Sequence, residues 1–208
     1  VLMDYDQHWQ GGEAGPIAAQ DWFARQLADA RSRVPATKLI IALGSYGYDW
    51  HDGIADALTI NEAWLSAHDS GTTPQYDPAS GNSGFAFEEG RHRHVVWMMD
   101  AASTWNQLAQ LNGVAGVALW RLGSEDPGVW EDLAAWQARR VPKLGPIAPA
   151  SGTDVRGMGE ILRIDARSRG GLRSLAFGTD GLVTGERYRA LPTPYVVQRT
   201  GAQDRKAV

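Results

Sequence analysis

Three apolar runs in this sequence each lead directly into a segment of polar and aromatic residues. The runs occupy residues 1–3, 38–44 and 114–120. Aliphatic runs of this kind are typical of strands buried on both faces of a parallel sheet. Because the carboxyl ends of parallel strands lie at one edge, the polar segments that follow them should meet there. The order therefore favours an α/β fold, either a barrel or an open parallel sheet.

The stretches around these runs predict helices. Residues 22–33 carry apolar side chains at helical spacing, with Asp21 as the N-cap and Pro35 ending the helix. A last helix is expected over residues 128–139, after the third run. The chain starts inside its first predicted strand, and we expect it to be a piece of something longer.

Residues 51–112 are too many for one loop and one helix between neighbouring strands, and they indicate an insertion with α and β parts. Within it, Thr59 is expected to cap a helix over residues 60–67. Asp100 should cap a second helix over residues 101–111.

Residues 85–99 predict a hairpin that turns at Glu89 and Gly90. His92 and His94 lie on one face of its second strand, a spacing that metal ligands can also show. No third ligand is identifiable, so we interpret the pair as residues of an edge strand and predict no metal site.

The composition changes near residue 150. Proline and glycine mark residues 141–153 as a linker, and residues 154–208 predict a small β-rich module whose last six residues fray. Its short β patterns lie at 160–164, 172–177 and 195–197, with a turn at Asp180 and Gly181.

Charge is divided unevenly between the two parts of the chain. Residues 1–150 hold 18 acids and 10 bases, a net charge of −8, whereas residues 151–208 hold 6 acids and 10 bases, a net charge of +4. The basic part could meet a polyanion or a membrane surface. A solvated face explains the same spacing, and we therefore predict no nucleic-acid partner.

Residue counts exclude several classes of protein. There are no cysteines, so a disulfide framework or thiolate metal site is excluded. No run of about 18 apolar residues exists that would cross a membrane as a helix. Nine tryptophans is a high count. Core packing accounts for about half of them, and tryptophan is also suited to stacking on flat ligands such as sugar rings.

The three strand ends carry the candidate site. Residues 3–6 (Met-Asp-Tyr-Asp), 46–50 (Tyr-Gly-Tyr-Asp-Trp) and 119–121 (Leu-Trp-Arg) should converge if the strands are parallel. Together with residues 94–101 (HVVWMMDA) and 117–126 (VALWRLGSED), they resemble the C-terminal half of glycoside hydrolase family 18, the chitinase-like TIM barrels.

The resemblance is greatest to the bacterial spore-germination and deacetylase-fused branch and covers residues 1–140. It implies a partial TIM (β/α)8 barrel made of the last three strands, with the insertion at residues 51–112. Residues 159–163 and 186–196 resemble the connector that precedes a polysaccharide deacetylase domain, which a glycosyltransferase can follow. The location implied is the extracytoplasmic face of a bacterial membrane or the cell envelope.

The resemblance also implies roles for individual residues. Tyr5 would donate a hydrogen bond to the N-acetyl oxygen of an N-acetylglucosamine unit, and Asp6 would bind a hydroxyl and orient its neighbours. Trp120 would form the floor under the sugar whose bond breaks. No cofactor is implied. Further substrate-binding candidates are Tyr46, Trp50, Trp97 and Arg121.

One motif of the family is missing from this sequence. The general acid lies in an Asp-x-x-Asp-x-Asp-x-Glu run on strand four, and no such run is present. We therefore expect a fragment without glycosidase activity of its own. The alternatives are a non-catalytic carbohydrate-binding or scaffold barrel and an unrelated phosphate-binding barrel. The latter is disfavoured because a Gly-rich strand-eight loop is absent. The acid pair Glu125 and Asp126 is interpreted as a helix cap.

Overall fold

A computed structural model of the chain describes residues 1–140, 142, 154–157, 160–164, 171–177, 183–190 and 197–200. Four helices and a 3₁₀ turn at Ala36–Lys38 are present in these residues. The helices are α1 (Gln20–Arg33), α2 (Ile60–Asp69), α3 (Ala101–Ala109) and α4 (Val129–Gln137). The strands are β1 (Leu2–Met3), β2 (Ile40–Gly44), β3 (Gly47–His51), β4 (Ile54–Leu58), β5 (Gln75–Asp77), β6 (Asn82–Glu89), β7 (His92–Met98), β8 (Gly116–Trp120), β9 (Asp154–Gly157), β10 (Glu160–Ile164), β11 (Gly171–Phe177), β12 (Val183–Ala190) and β13 (Val197–Thr200).

The three predicted core strands form one parallel sheet in the order β1-β2-β8. Its register places Met3 beside Ala42 and Gly44 beside Trp120. One face of the sheet packs against α1, α3 and α4 and forms an apolar core. Members of that core include Leu2, Phe23, Ile41, Leu43, Leu108, Val117, Leu119 and Leu133. The parallel α/β architecture is thus confirmed, and the described strands form an open sheet and no closed barrel.

The opposite face of this parallel sheet is exposed along β1 and β8. Val1, Met3 and Trp120 are 82%, 66% and 54% exposed, respectively. The prediction that all three strands are buried on both faces is therefore wrong for β1 and β8. Successive side chains of a strand point to opposite faces, and only one face of this sheet is covered by helices within the described residues.

A second sheet of five antiparallel strands, in the order β4-β3-β7-β6-β5, follows the parallel sheet. Helix α2 packs on one of its faces through Ile60, Trp64 and Ala67, against Phe85, Val96 and Met98. The sheet begins at Gly47, earlier than residue 51, where the insertion was predicted to start. Its first strand was missed because the aromatic run 46–50 was interpreted as a loop at the mouth of β2, although its alternation has the period of a strand.

The predicted helix caps mostly agree with the structure. Thr59 and Glu62 form a reciprocal capping box at α2, and Asp100 accepts a hydrogen bond from the backbone N–H of Ser103 at the start of α3. Asp21, in contrast, lies in the first turn of α1 and pairs with Arg25, because the helix begins at Gln20, two residues earlier than predicted.

The hairpin of β6 and β7 is confirmed, with Glu89 opposite His92 and a positive φ of 64° at Gly90. Strands β10 and β11 cover the predicted patterns 160–164 and 172–177, and both lie in antiparallel sheets. The 195–197 pattern is described only from Val197, the start of β13. The turn at residues 180–181, the linker apart from Pro142, and residues 203–208 lie outside the described residues. None of the described helices combines the length and apolar character that crossing a bilayer requires.

Candidate functional site

Asp6 is the polar centre of the candidate site. It follows β1 and has a positive φ of 66°, a backbone conformation that Asp and Asn adopt more readily than most residues. Its Oδ1 accepts hydrogen bonds from the hydroxyl groups of Tyr46 and Tyr48, the latter at 3.1 Å. The ends of β1 and β2 and the start of β3 thus meet at one carboxylate, as the predicted convergence requires.

Tyr5 and Trp120 lie side by side at the same edge. Their rings are nearly parallel, with an interplanar angle of 16° and centroids 6.4 Å apart. Tyr5 is half-buried, whereas more than half of the Trp120 side chain is exposed. A flat ligand can therefore reach the indole of Trp120 with the Tyr5 hydroxyl nearby.

The aromatic contacts continue from Tyr5 along the antiparallel sheet. Tyr5 meets Tyr46 edge to face at 6.1 Å, Tyr46 meets Tyr48 at 5.3 Å, and Tyr48 meets Trp50 at 5.4 Å. Edge-to-face pairs in this range of distances are favourable and directional. The series forms a rigid aromatic wall beside Asp6.

The surroundings keep the tyrosine hydroxyl groups protonated. Burial raises the pKa of Tyr46 well above its ordinary value, and hydrogen bonding to Asp6 adds to the effect. Burial and the Asp6 charge raise the pKa of Tyr48 to about 12. The pKa of Tyr5 is raised by burial and then by Asp6. All three phenols are therefore hydrogen-bond donors at neutral pH.

The remaining predicted site residues differ in accessibility. Trp50 is only 7% exposed, so its ring packs within the wall. Trp97 is half-buried and lies over Gly84, where a Cβ atom would come within 3.1 Å of the indole. Arg121 is exposed and follows Trp120 through a cis peptide bond. Of these three residues, Arg121 is nearest the Trp120 platform in the chain.

Three residues in this part of the chain were given no role on the basis of the sequence. Tyr48 was quoted within the run 46–50 but not assigned a role, although its alternation with Tyr46 places both on one strand face. Asp4 is 1% exposed, and neither carboxylate oxygen has a hydrogen-bond partner within the described part of the chain. Burial raises the pKa of Asp4 to about 7.

Trp9 is the third of these residues, and it is 57% exposed. Its indole lies flat over two glycines: a Cβ atom at Gly11 would be 2.4 Å from Cη2 of Trp9, and one at Gly12 would be 3.5 Å from Cδ1. Gln10 anchors the loop by donating to the Ala55 carbonyl at 2.8 Å. The Trp-x-Gly-Gly sequence was the available signal for such a ring.

The charged residues considered as alternatives have structural partners. His92 pairs with Asp52 and His94 with Asp49. Asp126 accepts hydrogen bonds from the backbone N–H groups of Ala101, the first residue of α3, and Gly128. The prediction that this acid pair caps the last helix is wrong, because Gly128 is the N-cap of α4 and no side chain caps it. Within the described ranges, no group of three or more His, Asp or Glu side chains is arranged to hold a metal ion.

No family model matches the sequence. The uncharacterized glycosylase YvbX of Bacillus subtilis is 30% identical over 138 residues, which are 64% of this chain and 40% of that protein. The cortical fragment-lytic enzyme of Bacillus anthracis is 28% identical over 142 residues, covering 64% of this chain and 33% of the enzyme.

Solved structures give the same result. A chitinase from Chromobacterium violaceum is 31% identical with a TM-score of 0.62, covering 66% of this chain and 45% of the chitinase. The Bacillus cereus spore cortex-lytic enzyme SleL is 27% identical with a TM-score of 0.58, covering 64% of this chain and 33% of SleL. The homologues of this chain are thus glycosylases and chitinases, as the resemblance implied. The chain spans between a third and a half of the length of these proteins.

Proposed function

We propose that residues 1–140, whose homologues are chitinase-like glycosylases, form the C-terminal part of a glycosidase site for polysaccharides containing β-1,4-linked N-acetylglucosamine. The observation that carries the proposal is the joint placement of Tyr5, Asp6 and Trp120 at one sheet edge. Names of the relatives, which include chitinases and cortex-lytic enzymes, support the substrate class.

In the mechanism we propose, the acetamide oxygen of the substrate bonds to its own anomeric carbon while the glycosidic bond breaks and the leaving oxygen takes a proton from the general acid, so the protein supplies no nucleophile. Water then opens the oxazolinium intermediate and releases the sugar. Tyr5 donates a hydrogen bond to the acetamide oxygen and holds that oxygen in line with the anomeric carbon. The Tyr5 phenol carries its proton at neutral pH, since its pKa lies above the ordinary value of 10.0.

Asp6 and Trp120 orient the sugar in this proposal. Tyr46 and Tyr48 both donate to Oδ1 of Asp6 and so fix the direction of its carboxylate. The exposed indole of Trp120 offers an apolar surface to the carbon face of the ring. Arg121 is the candidate contact for polar substituents next to this platform, and Trp97 for a neighbouring sugar.

The general acid is proposed to come from further strands that are not in this chain. The apolar face of the parallel sheet, with Met3 and Ile40 exposed, has the character of a barrel interior. Parallel sheets are normally covered on both faces. Additional strands that pair with β1 and β8 would close the sheet into a barrel, which would enclose this face. One of these strands would bring an acid to the Tyr5 edge. Downstream deacetylase and glycosyltransferase domains and a cell-envelope location remain predictions.

The test measures binding of tri-N-acetylchitotriose to this chain by isothermal titration calorimetry and by NMR chemical-shift changes. We expect binding, a loss of affinity of at least about tenfold in Trp120→Ala, and a similar loss in Tyr5→Phe. Trp130→Ala is the matched control, because Trp130 is 51% exposed but lies on α4. Absence of binding by the parent chain, or equal losses in Trp120→Ala and Trp130→Ala, would contradict the proposal.

A second candidate function is non-catalytic carbohydrate binding. The exposed platforms of Trp9 and Trp120 favour it, because they need no acid. We expect no turnover of chito-oligosaccharides by this chain, and measurable hydrolysis would contradict that. An acidic Asp-x-x-Asp-x-Asp-x-Glu run encoded upstream in the same gene would favour the enzyme, and its absence there would favour the binding module.

A further inference from the structure

Two hairpins of the antiparallel sheet end next to each other without backbone pairing. The β3–β7 ladder runs from Gly47 opposite Met98 to Trp50 opposite Val95, and it includes no pair beyond that point. Residues 92–94 of β7 pair with β6 alone. The β3–β4 turn and the β6–β7 turn therefore lie at the same end of the sheet, and within the described residues side chains alone join them there.

Those side chains are histidines and carboxylates. Nδ1 of His92 is 2.7 Å from Oδ1 of Asp52, which lies in the β3–β4 turn. Nδ1 of His51 is 3.5 Å from Oδ2 of the same Asp52. Nε2 of His51 is 3.0 Å from Oδ2 of Asp56, which lies on β4. Asp52 is thus shared between histidines of the two hairpins.

His94 completes the connection. Its ring stacks on that of His51, with centroids 4.7 Å apart, and on Phe87 at 4.5 Å. Nδ1 of His94 is 2.8 Å from Oδ2 of Asp49, and Nε2 is 3.7 Å from Oε2 of Glu89. These contacts join seven titratable side chains, here named the histidine cluster: His51, His92, His94, Asp49, Asp52, Asp56 and Glu89.

Protonation changes the strength of these contacts. An imidazole forms an ion pair with a carboxylate only when it carries a proton. The pKa of His51 is raised above its ordinary value, chiefly because Asp56 accepts its hydrogen bond. The pKa of Asp52 is lowered, chiefly by its hydrogen bond with His92. A raised histidine pKa means that the stabilisation is complete below about pH 6.5 and is lost as the pH rises through the folded-state value.

The opposite face of the same strands belongs to the candidate site. Along β3, Asp49 and His51 alternate with Tyr48 and Trp50, so the cluster and the aromatic wall share one strand. Strand β4 also holds the Trp9 loop, through the hydrogen bond from Gln10 to Ala55. Any loosening of the β3–β4 hairpin therefore reaches both the wall and the loop.

We infer that the histidine cluster is a proton-dependent latch that fastens the β3–β4 hairpin to the β6–β7 hairpin and thereby positions the wall of the site. Binding of a proton closes the latch. Below about pH 6.5 protonated His51 forms ion pairs with Asp52 and Asp56 and fastens the hairpin end, which His92 contacts through Asp52. Above that range the ion pairs of His51 are lost, and the end of the β3–β4 hairpin opens more often. The inference does not depend on what the site binds.

Amide hydrogen exchange, measured by NMR between pH 5.5 and 8.5 and corrected for intrinsic rates, tests the latch. We expect protection of His51 and Ile54, which face each other at the hairpin end, to be about tenfold higher at pH 5.5 than at pH 8.5. The amides of Gly47 and Leu58, at the other end of the same hairpin, serve as the internal reference and should change little.

The variant Asp52→Asn isolates the shared carboxylate. Asp52 has a φ of 50°, which Asn also tolerates, so the turn can keep its shape. We expect lower protection of His51 and Ile54 at all pH values in this variant, and a smaller change across the range than in the parent, because only the pair of His51 with Asp56 remains. The control is His68→Gln, which removes a histidine from a pair with Asp69 on α2. An unchanged pH response in Asp52→Asn, or its loss in His68→Gln, would overturn the inference.

Discussion

The hydroxyl group of Tyr48 lies 3.1 Å from Oδ1 of Asp6, although 42 positions of sequence separate the two residues. This bond joins the end of the parallel sheet to the first strand of the antiparallel sheet. Together with the bond from Tyr46, it gives one oxygen of the Asp6 carboxylate two phenolic donors. The bond therefore contributes both to stability and to the direction of a group in the candidate site.

Removing that donor gives the first prediction. We expect Tyr48→Phe to lower the free energy of unfolding by about 1.5–3 kcal/mol, the usual range for a hydrogen bond to a charged group. Urea unfolding followed by tryptophan fluorescence measures the change. Tyr76→Phe is the control, because the Tyr76 hydroxyl bonds the neutral side chain of Asn106, and its loss should cost about 1 kcal/mol. Equal losses in the two variants would contradict a charged bond at Asp6.

Two substitutions of Asp6 separate its charge from its backbone conformation. Asp6→Asn keeps a residue suited to a φ of 66°, so it should fold and lose about 1–2 kcal/mol through weaker phenol bonds. Asp6→Ala should lose on the order of 1–2 kcal/mol more, because alanine disfavours the left-handed region. Chemical denaturation compares the two variants. If alanine and asparagine destabilise the protein equally, the backbone part of the argument is wrong.

The buried carboxyl group of Asp4 predicts a dependence of stability on pH. Its pKa is about 7 in the folded protein and ordinarily 3.8, so the folded state binds more protons between these values. The free energy of unfolding then falls as the pH rises through that window. We expect Asp4→Asn to be on the order of 2–4 kcal/mol more stable than the parent at pH 8, and to lack this fall.

Thermal unfolding at pH 4, 5, 6, 7 and 8 measures the Asp4 effect. Asp21→Asn provides the comparison, because Asp21 is exposed and its pKa is lowered by Arg25, which places its influence at acidic pH. A parent protein whose stability is flat from pH 4 to pH 7 would show that Asp4 titrates normally.

Trp9 gives a prediction about ligand binding. We expect Trp9→Ala to weaken tri-N-acetylchitotriose binding by about tenfold, with little change in stability because the ring is exposed. Gly11→Ala tests the orientation of the same ring: the added methyl group would lie 2.4 Å from the indole and displace it. Titration calorimetry should give a weaker affinity for both variants. Normal binding by both would exclude Trp9 from the site, whereas the Tyr5 and Trp120 variants would still report on the proposed function.

Local signals in the sequence predicted many parts of the structure. Thr59 and Asp100 were identified as caps because their side chains bond backbone groups three residues away, within reach of a short pattern. The exposure of Met3 could not be predicted in this way. It depends on which face of the sheet the helices cover, and a two-residue strand carries too little periodicity to decide that.

Some residues of the site could likewise be predicted from the sequence, and others could not. Tyr5, Asp6 and Trp120 could be placed together because parallel strand ends meet at one edge. The role of Tyr48 required the register between two sheets, and the partners of His92 and His94 lie 40 and 45 positions away. Contacts of that kind depend on tertiary packing, for which the sequence has no local pattern.

The alternation along β3 restricts how this segment can vary. Tyr48 and Trp50 face the candidate site while Asp49 and His51 face the histidine cluster. Deleting or inserting one residue in β3 would exchange the two sets, placing carboxylate and imidazole in the wall and burying phenol and indole among charges. Functional change in this strand can therefore proceed by substitution but not by change of length, and any engineered variant should keep its five positions.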